Sequence, residues 1–148
     1  MAETLGTLCD KLTIIKLKQW HSEDEIRLNR LAIQEKQLQN EINEFVKAAI
    51  SGKILREQLT FASNKLYKEE SNFVPDLTGS IGEVFSQLAE FNCKLWHEQE
   101  KVYDFENVTF KGKNIVVKQL AVLNLERNKC IDEIDKNLLA IVKSINFI

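Results

Sequence analysis

Residues 80–102 read SIGEVFSQLAEFNCKLWHEQEKV. Ile81, Phe85, Leu88, Leu95 and Val102 recur three, four or seven positions apart, with Asn92 in the same row. That is the period of one helical face, not the alternation of a strand. Ser80 followed by Glu83 has the spacing of a capping box, which predicts a helix opening at Ile81.

The same period extends in both directions. Leu5, Leu8, Leu12 and Ile15 form one row, and Leu28, Leu31, Leu38, Ile42, Phe45 and Ala49 form a second. The two are out of phase across Gln19 to Arg27, so the helix bends or breaks there; Ser22 and Glu25 again have capping spacing, which favours a break over a continuous helix with a local irregularity. Ser51-Gly52 predicts the end of that second helix. A shorter row follows with Leu55, Leu59, Ala62 and Leu66, then a loop from Ser71 to Gly79 that holds the one proline, Pro75. Asn107 to Asn114 reads as a second loop, with Val108, Thr109 and Phe110 as a candidate extended stretch. The last row is Val117, Leu120, Asn124, Ile131, Ile134, Leu138, Ile141 and Ile145. Narrow stripes of this kind hide themselves only against one another. The expected fold is therefore all-α, an antiparallel bundle of about five helices. Strict three-four spacing also suits a partner chain, which predicts a homodimer.

Composition sets the bounds. The 148 residues are 44% hydrophobic and 28% charged, the balance of one soluble domain spanning 1–148. Net charge is −2, and Lys and Arg are scattered among Asp and Glu without a basic stripe. Binding a phosphate backbone requires clustered cations, so neither nucleic acid nor an acidic membrane surface is an expected partner. The opening Met1-Ala2-Glu3 has no basic n-region, and no apolar run approaches the roughly 20 residues of a membrane span. Cys9, Cys93 and Cys130 are odd in number, widely spaced and fit no zinc motif. They are expected to be reduced core residues of a cytoplasmic protein.

The chain also repeats itself. Each tryptophan precedes a histidine, and laying Thr4-Leu5-Gly6 over Ser80-Ile81-Gly82 brings Leu12 to Leu88, Lys18 to Lys94 and Trp20-His21 to Trp96-His97 without a gap. Two amphipathic helices can coincide by chance, because helical patterning is permissive. The alternative is a duplication, with units of about 4–50 and 80–146 related by a pseudo-twofold and linked by a helix over 54–70.

Polar residues interrupt the apolar rows. Asn92 and Asn124 lie in line with apolar neighbours, and Arg127 is about one turn beyond Asn124. Buried polar groups must find partners or cost about 1–3 kcal/mol, so these predict either a structural network or a polar pocket gripping a small anion. His21 with Asp24, and His97 with Glu100, share helical faces as candidate ligands for a divalent metal, to which Asp132, Glu133 or Asp135 could add carboxylates. Di-metal bundles use Glu-x-x-His in the reverse order, and a solvated face with each histidine against its tryptophan is the simpler expectation, so no cofactor is predicted. Lys111-Gly112-Lys113-Asn114 precedes a helix without the glycine spacing of a P-loop. No Ser/His/Asp or Cys/His nucleophile set stands out.

Three segments carry a resemblance. Gly6 with Asp10-Lys11-Leu12-Thr13-Ile14, Asn92 with Leu95-Trp96-His97-Glu98, and Leu123-Asn124 with Arg127-Asn128 and Ile134-Asp135 occur in that order. Together they resemble a bacterial and phage family of helical domains of unknown function, many of them among surface-polysaccharide genes. Thr7 stands where that family's opening has Glu, and Gln99 and Glu100 stand where its centre has Glu and Asp. The resemblance implies a helical fold and a candidate polar cluster of Asp10, Lys11, Asn92, Trp96, His97, Glu98, Asn124 and Arg127, but no reaction. Two functional expectations follow. One is a non-enzymatic oligomerisation or partner-binding protein with an internal polar network. The other is an enzyme or binding module for a phosphorylated or sugar-nucleotide ligand, with Arg127 and Lys11 on the anion and His97 and Glu98 as acid/base groups or metal ligands.

Overall fold

The structure, a computed structural model, describes residues 2–61 and 79–145. Among them are four α-helices and no strand: α1 (Leu5–Trp20), α2 (Glu25–Ser51), α3 (Ile81–Tyr103) and α4 (Phe110–Ile145). The break between the first two rows is present, but Asp24, not Ser22, caps α2. Its carboxylate accepts the backbone N–H of Ile26 at 2.9 Å, satisfying a donor that the first helical turn leaves open. Gly52 closes α2 with φ of 82°, a left-handed conformation that only glycine adopts cheaply. Thr4 and Ser80 cap α1 and α3.

Two expectations are corrected. The helix expected over 54–70 enters the described residues only as far as Phe61. There it is a single 3-10 turn, Arg56–Gln58, and Ala62 and Leu66 lie outside the described residues, as does the Ser71–Gly79 loop up to its last residue. The loop expected over Asn107 to Asn114 ends sooner, because the Thr109 hydroxyl accepts the Gly112 N–H at 3.0 Å and opens α4 at Phe110. Lys111 and Lys113 therefore belong to the first turn of α4, Phe110 opens that helix, and Val108 is extended.

Partner residues give the directions. Asn137 of α4 reaches the Gly79 carbonyl ahead of α3 at 3.3 Å, Glu126 lies in the field of Glu90 and Lys94, and Lys113 sits 5.8 Å over the Phe105 ring. Numbers rise on one helix as they fall on the other, so α3 and α4 are antiparallel. Contacts of Gly6 with Asp135 and of Asp10 with Arg127 make α1 antiparallel to α4. The pairs Asp10 with Asn92 and His21 with Trp96 make it parallel to α3. Lys16 and Gln19 hold Glu35 at 3.0 and 2.8 Å, while Leu5 and Ala49 share one core, so α2 folds back along α1.

That core lies at one end of the bundle: Leu5 and Cys9 of α1, Ala49 of α2, Leu59, Val84 and Leu88 of α3, and Cys130 to Val142 of α4. Each large aliphatic side chain removed from water here contributes about 1.5–3 kcal/mol. The buried row on α4 is Val116, Leu123, Cys130, Ile131, Ile134, Leu138 and Val142: Ile131, Ile134 and Leu138 are buried as expected, while the first half of the row runs one residue ahead of the expected Val117 and Asn124. Val117, Asn124, Ile141 and Ile145 are exposed. α4 has 36 residues and α1 only 16, so at ~1.5 Å per residue α4 far outruns its neighbour. No helix among the described residues is long and apolar enough to cross a membrane.

Candidate functional site

One turn above the apolar core, polar side chains from three helices meet. Asp10 and Thr13 lie one turn apart on the buried face of α1. Asn92 continues the buried row of α3 after Leu88, and Arg127 sits one turn after Leu123 on α4. The Asn92 amide donates to the Asp10 carboxylate at 2.9 Å and to the Thr13 hydroxyl at 2.6 Å. Thr13 in turn donates to the Asp10 carbonyl at 2.7 Å. Arg127 Nε lies 3.7 Å from the same carboxylate oxygen, too far for a hydrogen bond, and is buried without an acceptor. Such a layer ties α1 to both α3 and α4. Its apolar surroundings make each satisfied bond stronger and each missing one costlier.

A second polar tie lies deeper. Asp135 is 1% exposed, and its carboxylate accepts the Gly6 N–H at 2.7 Å in the first turn of α1, where the helix dipole favours an anion. A Cβ on Gly6 would come within 2.3 Å of the Ile131 carbonyl, so glycine is what lets the two backbones approach this closely. Asp132 is also buried. Between the carboxylates sits Cys9. Burial pushes its thiol up to about 12, and the charges of Asp135 and Asp10 add to the shift. Burial, with Glu126 nearby, does the same to Cys130. Both thiols stay protonated and unreactive. Cys93, expected in the core, is exposed.

Of the eight candidate residues, Asp10, Asn92 and Arg127 come together. Lys11 points outward to Glu3. Asn124 is exposed and donates to the Leu120 carbonyl of its own helix at 3.0 Å, because the buried row runs through Leu123 instead. His97 is exposed, 4.0 Å from Glu100, and Glu98 takes Lys101 at 2.9 Å. Trp96 belongs to a different place. Its indole stacks on His21 at 4.5 Å with an interplanar angle of 18°, and its Nε1 donates to Glu100 at 2.9 Å. Trp20 is 86% exposed, so the two Trp-His pairs occupy unlike surroundings.

Of the two candidate metal pairs, His21 and Asp24 are engaged elsewhere: Asp24 caps α2, and His21 Nδ1 lies 2.8 Å from the Leu17 carbonyl. His97 and Glu100 lie side by side, with Glu100 also taking the Trp96 indole N–H. Among the described residues, no three His, Cys, Asp or Glu side chains gather as a metal site. Sequence reading left Thr13 out of the cluster, although it stands one turn from Asp10 within the same motif. Asp135 was visible as a possible metal ligand and as part of the third motif, not as the acceptor for Gly6. No protein-family model, curated protein or solved structure matches this chain.

Proposed function

We propose that the chain works without catalysis, as a helical protein that pairs with a second copy of itself. The observation that carries this reading is an unpaired face on α4. Phe110, Asn114, Val117, Ala121 and Asn124 follow one another at three and four residues and are all exposed, Phe110 by 83%. Stripes of that spacing are made for another helix, and asparagine within them sets register. Lys111 and Lys118 flank the stripe. A further apolar exposure, Trp20 with Ile26 and Ile33, has Glu23, Asp24 and Glu25 beside it at the corner where α1 turns into α2, and Arg27 and Arg30 along its α2 side. A two-fold pairing that sets each stripe on the partner's corner matches apolar to apolar and base to acid. Light scattering after size exclusion is expected to give twice the chain mass, and Val117→Glu is expected to give the monomer. A wild-type monomer at 100 µM sinks the reading.

On this reading the Asp10–Thr13–Asn92–Arg127 layer fixes how the helices sit. All three segments that resemble the helical bacterial and phage family contribute to it, the first through both Asp10 and Thr13, which supports kinship with that family. We also infer that the α1–α2 and α3–α4 hairpins descend from a duplication, supported by the equivalent caps Thr4 and Ser80 and the parallel course of α1 and α3.

The orphaned Arg127 Nε favours a second reading, a polar pocket for a phosphorylated or sugar-nucleotide ligand. Thermal-shift screening with nucleotide sugars and divalent cations tests it: a rise in Tm lost in Arg127→Ala supports it, and no rise with any of them removes it.

A further inference from the structure

Beyond the polar layer, His21, Trp96, Gln99, Glu100 and Tyr103 line an open groove of about 300 Å³, at the lower end of the range for small-ligand sites. We propose that this groove binds an organic cation of the guanidinium or methylated-ammonium class.

The argument starts from the carboxylate. Glu100 Oε1 is held by the Trp96 indole N–H at 2.9 Å, so the charge is fixed beside the ring instead of swinging free in water. His97 lies 4.0 Å from it and is cationic only when protonated. Lys101, one residue on, is engaged by Glu98. Trp96 is held in place by the His21 ring, and His21 is held by its Nδ1 contact with the Leu17 carbonyl, so the aromatic wall is preformed. Tyr103, 83% exposed one turn after Glu100, stands as a further ring on the same side. The chain leaving His21 adds Glu23, Asp24 and Glu25.

Aromatic faces beside a fixed carboxylate attract a soft, weakly hydrated cation through the ring quadrupole and direct charge pairing together. An anion would meet the Glu100 carboxylate in the groove lining. An apolar ligand would strip water from Glu100 without replacing it.

The test follows the indole N–H signal of Trp96 in proton–nitrogen NMR spectra of the full chain, assigned by its persistence in Trp20→Phe. Tetramethylammonium chloride and methylguanidinium chloride are titrated against sodium chloride at equal ionic strength. A capped Gly-Arg-Gly peptide is titrated in parallel. Saturable shifts with the organic cations and not with sodium are expected. Tighter binding of the peptide assigns the natural cation to a protein side chain, and equal binding assigns it to a free small molecule. Glu100→Gln keeps a hydrogen-bond acceptor for the indole but loses the charge, and is expected to weaken binding about tenfold. Tyr103→Ser, at an exposed position, is expected to weaken it less and serves if Glu100→Gln disturbs the fold. Equal response to sodium chloride, or unchanged binding in both variants, overturns the proposal. Because the proposed pairing uses the same Glu23–Glu25 corner, the titration is repeated in Val117→Glu, and binding kept there separates the groove from the pairing through α4.

Discussion

The Asp135 carboxylate accepts the backbone N–H of Gly6 at 2.7 Å, joining the first turn of the first helix to the last helix across 129 residues. The bond exists because α1 and α4 approach at a residue without a side chain. Gly6→Ala drives a methyl into the Ile131 carbonyl and the Asp135 carboxylate, and is expected to cost about 1–3 kcal/mol in urea unfolding, as overpacking does. Gly82, the matching glycine of α3, has nothing within 4 Å of an added Cβ. Gly82→Ala is expected to gain up to about 1 kcal/mol from helix propensity alone. Equal effects at the two sites would show that the α1–α4 crossing is looser than described.

Asn92 holds Asp10 and Thr13 with one amide. Asn92→Ala leaves the Asp10 carboxylate buried with Arg127 Nε 3.7 Å away as its remaining partner here, so a loss of about 1–3 kcal/mol is expected from the abandoned acceptor. In a double-mutant cycle with Asp10→Asn the two losses are expected to be non-additive. Additive losses would mean that the two side chains do not act as a unit.

Acid is expected to act on the carboxylates with opposite signs. Glu35 sits below the ordinary glutamate value of 4.5, first because Gln19 donates to it and then because Lys16 does. Burial pulls Glu3 upward, but hydrogen bonds from Lys11 and Thr7 and the Lys11 charge outweigh it and leave Glu3 below 4.5. Their stabilisation is fully present above 4.5 and is lost as pH falls through the lowered values. Glu126 is raised, first by burial and then by Glu90, against Lys94 and Lys129. It favours the fold when protonated, and that contribution fades as pH rises from 4.5 through its raised value. Glu126→Gln is therefore expected to raise Tm slightly at neutral pH and to do nothing below 4.5. Glu35→Gln is expected to lower Tm at neutral pH only. Thermal scans at both pH values decide.

One thiol in three is expected to react with a maleimide in the native state. Cys93 is exposed, whereas Cys9 and Cys130 are buried with thiols pushed up to about 12. Mass spectrometry is expected to find a single adduct on Cys93, and two further adducts only in denaturant. Native labelling of Cys9 would mean that α1 detaches from α4.

Helical class was legible because an apolar row at three-four spacing is a local property. Residues 80–102 carry it without reference to anything else. The break before α2 was legible for the same reason, although Asp24 took the cap from Ser22 because its carboxylate reaches the Ile26 N–H. The first half of the row on α4 was misread by one position, whereas Ile131, Ile134 and Leu138 are buried as read. Val117 and Asn124 keep the same spacing as Val116 and Leu123, and a helix that outruns its neighbours has apolar residues on more than one side.

The amino-acid order alone determined that Asn92, Asn124 and Arg127 were unusual, since a polar residue in or beside an apolar row is unusual wherever the row packs, while Asp10 entered only through the resemblance. Only the tertiary structure decided that Asp10, Asn92 and Arg127 meet while Asn124, Lys11, His97 and Glu98 do not. Meeting depends on the direction and rotation of α1, α3 and α4 about their own axes. Those rotations are fixed by contacts between residues about 80 to 130 positions apart, such as Gly6 on Ile131 and His21 on Trp96, which no local period encodes.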